Sequence, residues 1–174
     1  MKANCAKARR EALKLISESK VEAAPVPVER IARRLGVQVR YTPFDGDLSG
    51  MATISSGVCV IGVNSLHAPV RQRFTLAHEL GHLRLHRSIL EDKLHLDRGS
   101  LRRDWLSTQG VEPIEIEANA FASELLIPLT LLKATLKGRW VDFEDDEEIG
   151  VLARKFRVSP AAMRFRLIRE TSPA

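Results

Sequence analysis

Apolar residues recur at helical spacing through residues 69–86, where Phe74, Leu76, Ala77, Leu80, Leu83 and Leu85 follow Pro69 without a further breaker. Pro69 suits a first helical turn, because its fixed φ and missing N–H cost nothing there. A second helical pattern, VEPIEIEANAFASELLIP, opens near Pro113 and closes before Pro128, with Ile114, Ala118, Phe121, Leu125 and Leu126 as its apolar stripe. PLTLLKATL adds a short helix ended by Gly138. The opening MKANCAKARREALKLISESK reads as an amphipathic helix with Ala12, Leu13 and Ile16 turned inward. VERIARRLGVQVRY is a helix stopped at Gly36, then a strand through the alternating Val37, Val39 and Tyr41. LSGMATIS and VCVIGVNS form two more strands, joined as a hairpin across Ser55-Ser56-Gly57. DFEDDEEIGVLARKFRVSPAAMRFRLIRE holds two helices broken at Arg157-Val158, with Ser159 as N-cap and Pro160 as first helical residue. Residues 87–111 are charged and irregular, with Gly99 and Gly110 as breakers, and read as a long excursion able to shape access to a site.

These elements predict an α+β fold: a small three-stranded, mostly antiparallel sheet against a helical bundle, with a helix-turn-helix-like C-terminal segment. The expected division is a main domain over residues 1–136 and a small helical subdomain over 137–174 packed on it. A length of 174 residues with 44% apolar and 28% charged positions supports one adequate core. No apolar run approaches the ~20 residues that span a bilayer. The N-terminus is basic but lacks the apolar stretch of a secretory signal. Cys5 and Cys59 are too few for a disulfide framework or a thiolate zinc knuckle, so a cytoplasmic protein is expected. A net charge of +5 is compatible with a nucleic-acid surface, but solvated arginine-rich helix faces explain it equally well. An aromatic content of 5% argues against a stacking platform for single strands.

The chemistry concentrates in HELGH, residues 78–82. Histidines four apart on a helix share one face, so His78 and His82 can close on one metal ion. Glu79 projects roughly 100° further around the helix and can reach a water at that metal without being a ligand itself. That is the layout of a zinc hydrolase with a general base. A catalytic zinc usually takes a third protein ligand. His86 extends the spacing but is rejected, since eight helical residues rise ~12 Å. His67 and His95 lie outside the helix and need a fold-back to reach it. Acids on the second helix are better placed. Glu117 shares a face with Ala120, Phe121 and Glu124 and is the first choice, with Glu115 as the alternative. Tyr41, His86, His95 and an arginine of residues 87–104 are candidates to stabilise an oxyanion.

RFTLAHELGHLRLH followed by EIEANAFASELLIP resembles the ImmA/IrrE family of metallopeptidases across roughly residues 27–129. Ile127 stands where methionine is frequent in that family. The resemblance implies metal ligands His78, His82 and Glu117, with Glu79 as catalytic base. It further implies a zincin-like domain and limited cleavage of a protein partner. That partner would be a helix-turn-helix repressor in a stress-response or mobile-element pair. Zinc suits two histidines and a glutamate best, and manganese or iron also fits. The rival reading is a non-catalytic metal-binding regulator, or a DNA-binding or toxin–antitoxin component, acting through Arg164, Arg166 and Arg169 of the last helix. The acidic run from Glu144 to Glu148 beside them opposes phosphate binding.

Overall fold

The computed structural model describes residues 2–91, 94–97 and 113–171. Helix α1 spans Cys5–Glu18, capped by the Asn4 side chain, which accepts from the Lys7 amide at 2.9 Å. Its buried stripe is Ala8, Ala12, Leu15 and Ile16. Leu13, expected inward, is exposed, because it lies a full 100° step away from Ala12 around the helix. Helix α2, Val28–Arg34, ends as expected just before Gly36, whose φ of +74° a side chain would disfavour.

Strands β1 (Gln38–Thr42), β2 (Gly50–Ser55) and β3 (Val58–Asn64) follow. Ser56 and Gly57 both have positive φ, the conformation of a tight two-residue turn matched to strand twist, and they close the β2–β3 hairpin. The expected three-stranded, mostly antiparallel sheet is corrected to a mixed sheet of four strands in the order β1-β3-β2-β4. The added strand, β4 (Leu94–Asp97), lies within the stretch read as an irregular excursion. Its polarity explains why it was missed. Leu94 and Leu96 point outward and are exposed, while His95 and Asp97 turn inward, the reverse of ordinary apolar-in alternation. Strand β1 runs parallel to β3, which requires the 43–49 connection to cross over. The buried Asn64 side chain holds that crossover, donating to the Leu48 carbonyl at 2.8 Å and accepting from the Leu66 amide at 3.0 Å.

Helix α3, Pro69–Leu85, packs on one side against the sheet and on the other against α5, Pro113–Leu126. Both helices match their sequence expectation within a residue or two. The one-turn helix α4, Arg87–Leu90, precedes β4. Helix α5 has two buried sides, because α1 packs against it as extensively as α3 does.

The remaining helices are α6 (Leu129–Leu136), α7 (Asp146–Phe156) and α8 (Pro160–Thr171). Arg157 at φ +53° makes the α7–α8 turn, and Ser159 Oγ accepts from the Ala162 amide at 3.2 Å. Helix α8 is tied to the end of α5 by a buried ion pair, Arg166 to Glu124 at 2.7 Å, with Arg166 also donating to the Ile127 carbonyl. No helix among the described residues is long and apolar enough to cross a membrane.

Candidate metal centre

His78, Glu79 and His82 all lie on the buried length of α3. The His78 and His82 Nε2 atoms stand 3.0 Å apart, as the four-residue spacing requires. His78 Nδ1 meets Asn119 Oδ1 at 3.0 Å. An amide oxygen only accepts, so His78 donates from Nδ1, and Nε2 is the nitrogen left to face a metal once its own proton is displaced. This outer hydrogen bond fixes the ring as a metal-binding histidine needs.

The carboxylate that meets the pair belongs to Glu115. Its oxygens lie 3.2 Å from His78 Nε2 and 3.3 Å from His82 Nε2. Glu117 turns elsewhere: it accepts the Asn4 amide of the α1 cap at 2.6 Å and sits 3.4 Å from His86 Nε2. The expectation of Glu117 beside the histidine pair is therefore corrected to Glu115. The reason is the double burial of α5. An apolar stripe identifies a packed face but not which neighbour covers it, and the Glu117 face looks toward α1. A usable signal was present in Asn119, one turn after Glu115 on the same face, where an amide can hold a histidine ring.

His95 joins the cluster from β4. Its Nε2 is 3.5 Å from Glu115 Oε1, and its ring lies on that of His82 with centroids 4.2 Å apart. One donor atom from each of His78, His82, His95 and Glu115 lies within 4.8 Å of the other three. Zinc–ligand bonds of about 2.0–2.1 Å in a tetrahedron imply ligand–ligand edges of about 3.3 Å, so the closest of these separations suit such an ion. His86, at the end of α3, stays outside this set, as its helical rise demands.

Glu79 is fully buried, and among the described residues neither of its oxygens has a hydrogen-bond partner. A buried carboxylate without partners is costly, which marks a position awaiting a water or ligand. Strand β2 makes room for it: a Cβ on Gly50 would stand 3.2 Å from Glu79 Oε1 and collide with Thr75. Gly81 does the same on the other side, where a Cβ would come within 3.2 Å of Ala118 Cα and Phe121.

The electrostatics of the cluster are those of donors competing for positive charge. Burial pushes the Glu79 carboxyl up to about 8, with Asp97 and Glu115 adding to the rise against the pull of His78. Burial opposes the charged form of His78, yet its bond to Glu115 and the charge of Glu79 carry it to about 9. Burial takes His82 the other way, to about 4. Glu115 is held well below the usual carboxylate range by both histidines, against its own burial. Of the paired imidazoles only His78 carries the second proton of the charged form near neutral pH, and a dication would take that proton's place.

A family model described as Peptidase_M78, the IrrE N-terminal-like domain, matches residues 32–168. The chain belongs to that family. Among solved structures, a Mycobacterium tuberculosis transcriptional regulator shares the fold, with a TM-score of 0.58 at 20% sequence identity. That match covers 96% of this chain and 48% of the other, so the chain spans about half the length of the protein it resembles. Among curated proteins none matches.

Within this Peptidase_M78 chain the other sequence candidates fall away from the cluster. Tyr41 lies on β1, at the opposite edge of the sheet from β4, and its hydroxyl interacts with Glu29. Arg87 pairs with Glu91 on the surface, and residues 98–104 lie outside the described residues. On α8, Arg166 is buried against Glu124, and Arg164 is engaged by Asp146 and the Phe143 carbonyl. Two of the three arginines offered for DNA are thus committed to packing. Beside the cluster, an apolar groove lined by Phe74, Leu126, Ile127 and Val158 begins one helical turn before His78.

Proposed function

We propose that this Peptidase_M78 chain is a zinc-dependent endopeptidase of the cytoplasm that makes limited cuts in one protein partner. Its metal ligands are His78, His82 and Glu115, and Glu79 is the catalytic base. The observation that carries this reading is the convergence of those three donors beside a buried carboxylate that has no hydrogen-bond partner among the described residues. Zinc held there would acidify a water and polarise a scissile carbonyl. Manganese or iron fits the same donors.

The chain's own residues supply the remaining chemistry. Glu79, buried beside the histidine pair, is placed to take a proton from an attacking water and to pass it to the departing amine once a dication has drawn its carboxyl down from the value of about 8 that it has without metal. Asn119 holds the His78 ring, and Asp97 adds negative charge that favours a proton on Glu79. The apolar groove along Phe74, whose ring centroid lies 6.2 Å from that of His78, offers a seat for an apolar side chain of the partner. The family resemblance supports a helix-turn-helix repressor as the protein cut, in a stress-response or mobile-element pair. A transcriptional regulator is also what the structural neighbour is called.

The test is co-incubation of the purified protein with a repressor encoded beside it, with and without a chelator. Glu79→Gln should keep its zinc and lower cleavage by roughly 100- to 10,000-fold. Cleavage by that variant at the wild-type rate would falsify the base assignment.

A further inference from the structure

We infer that His95 is a fourth ligand of this centre, so that the resting protein holds its metal closed and exposes it only when this imidazole leaves. The inference rests on the metal-binding reading above and goes beyond it. Three ligands and an open position make a catalytic zinc site, whereas four protein ligands make a closed one. Among the described residues the donors number four: His78, His82, Glu115 and His95.

The placement of His95 is specific. Strand β4 pairs antiparallel with β2, and His95 stands directly opposite Ala52, which is fully buried. Cross-strand partners share a face, so His95 projects from the sheet toward α3 while Leu94 and Leu96 take the outer face. Its Nε2 is buried without a hydrogen-bond partner among the described residues. A ring nitrogen buried in that way is expensive unless it binds something.

The 3.5 Å from this nitrogen to Glu115 Oε1 is close to the ~3.3 Å edge of a zinc tetrahedron. A residue that stabilised an oxyanion instead would stand one shell further out, about 3 Å beyond an oxygen that itself lies about 2 Å from the ion. A tilted contact with the His82 ring, centroids 4.2 Å apart, places the His95 ring among the ligands rather than beyond them.

A latent enzyme follows. With His95 bound, its imidazole would take the position that a catalytic site leaves for water, and Glu79 would lack a bound water to deprotonate. Rotation of one imidazole on an otherwise paired strand is enough to open the centre.

The experiment compares the wild type with His95→Ala and His95→Gln, using zinc and cobalt(II) alone as probes. Metal content, zinc affinity by chelator competition, cobalt visible absorption and the imidazole count from X-ray absorption are read on each. Thermal melting of the metal-free proteins checks that both variants fold. The expected result is one metal per chain, three imidazoles in the wild type and two in either variant. Zinc affinity should fall at least tenfold, the lower end of what even outer-sphere losses cause. The cobalt bands should weaken as water enters. Two imidazoles in the wild type, with affinity and spectrum unmoved by either substitution, overturn the inference while leaving the peptidase reading intact. So does a loss of cleavage of roughly 100- to 1,000-fold at unchanged zinc affinity, the mark of an oxyanion donor. A wild type that takes up neither metal overturns both readings.

Discussion

Glu115 and Glu117 leave the same helix two residues apart, and each meets a histidine of α3, yet they enter different environments. Glu115 faces His78, His82 and His95 at 3.2–3.5 Å, and all four donors point at one another. Glu117 meets His86 alone and gives its other oxygen to a backbone amide at the start of α1. One carboxylate converges on a space the size of an ion, while the other fastens two helices together. Residue types do not separate these cases, because both are Glu–His contacts between the same two elements. Convergence separates them: a metal needs several lone pairs aimed at one point, and a latch needs only one donor.

The largest effect that tests this contrast comes from exchanging the two acids. Glu115→Ala should weaken zinc binding by more than about 100-fold, beyond the range seen for outer-sphere losses. Glu117→Gln should leave zinc content unchanged and cost about 1–2 kcal/mol of folding stability through the lost charged acceptor at Asn4. Equal zinc loss in both variants, measured by chelator competition, would erase the distinction.

Asn119→Ala should come next, lowering zinc affinity about 10- to 100-fold by freeing the His78 ring. Unchanged affinity would mean the ring is held by packing alone. A smaller effect is expected from Gly81→Ala, whose methyl presses on Ala118 and forces α5 away from α3. Denaturant melts of the metal-free chain should show a loss of about 1–3 kcal/mol. No loss there would show that the two helices give way freely.

The remaining test follows pH. In the metal-free protein, His78 is raised from 6.5 to about 9 and Glu79 from 4.5 to about 8. The folded state therefore keeps protons that the unfolded chain releases, and stability declines as pH rises from about 6.5 toward 9. His82 does not oppose this, because its own window lies between about 4 and 6.5. Melting temperatures of the metal-free chain across that range check the sign, and a rising profile contradicts the assignment of the shared proton.

Much of this was legible in the chain because the elements are locally consistent. Helices α3 and α5 carry clean helical periods with proline at their starts, and the hairpin carries its Ser-Gly turn. HELGH marked two histidines and a glutamate for one buried length of helix by spacing alone. What could not be read was long-range. Strand β4 inverts its polarity so that a histidine can look inward, and four residues with leucines outside look like a loop. The choice between Glu115 and Glu117 depended on which helix covers which side of α5, and a periodicity argument carries no such information. Arg166 looked like part of a basic surface, because nothing local showed that Glu124, 42 residues earlier, would bury with it.

That last pair has a consequence for how the molecule can be cut. Glu124 and Arg166 each keep about 3% of their side-chain surface in contact with solvent. A truncation that deletes α8 would remove the buried partner of Glu124 on the very helix that presents Glu115, together with the donor to the Ile127 carbonyl. Helix α8 thus acts as a keystone for a cluster to which it supplies no donor.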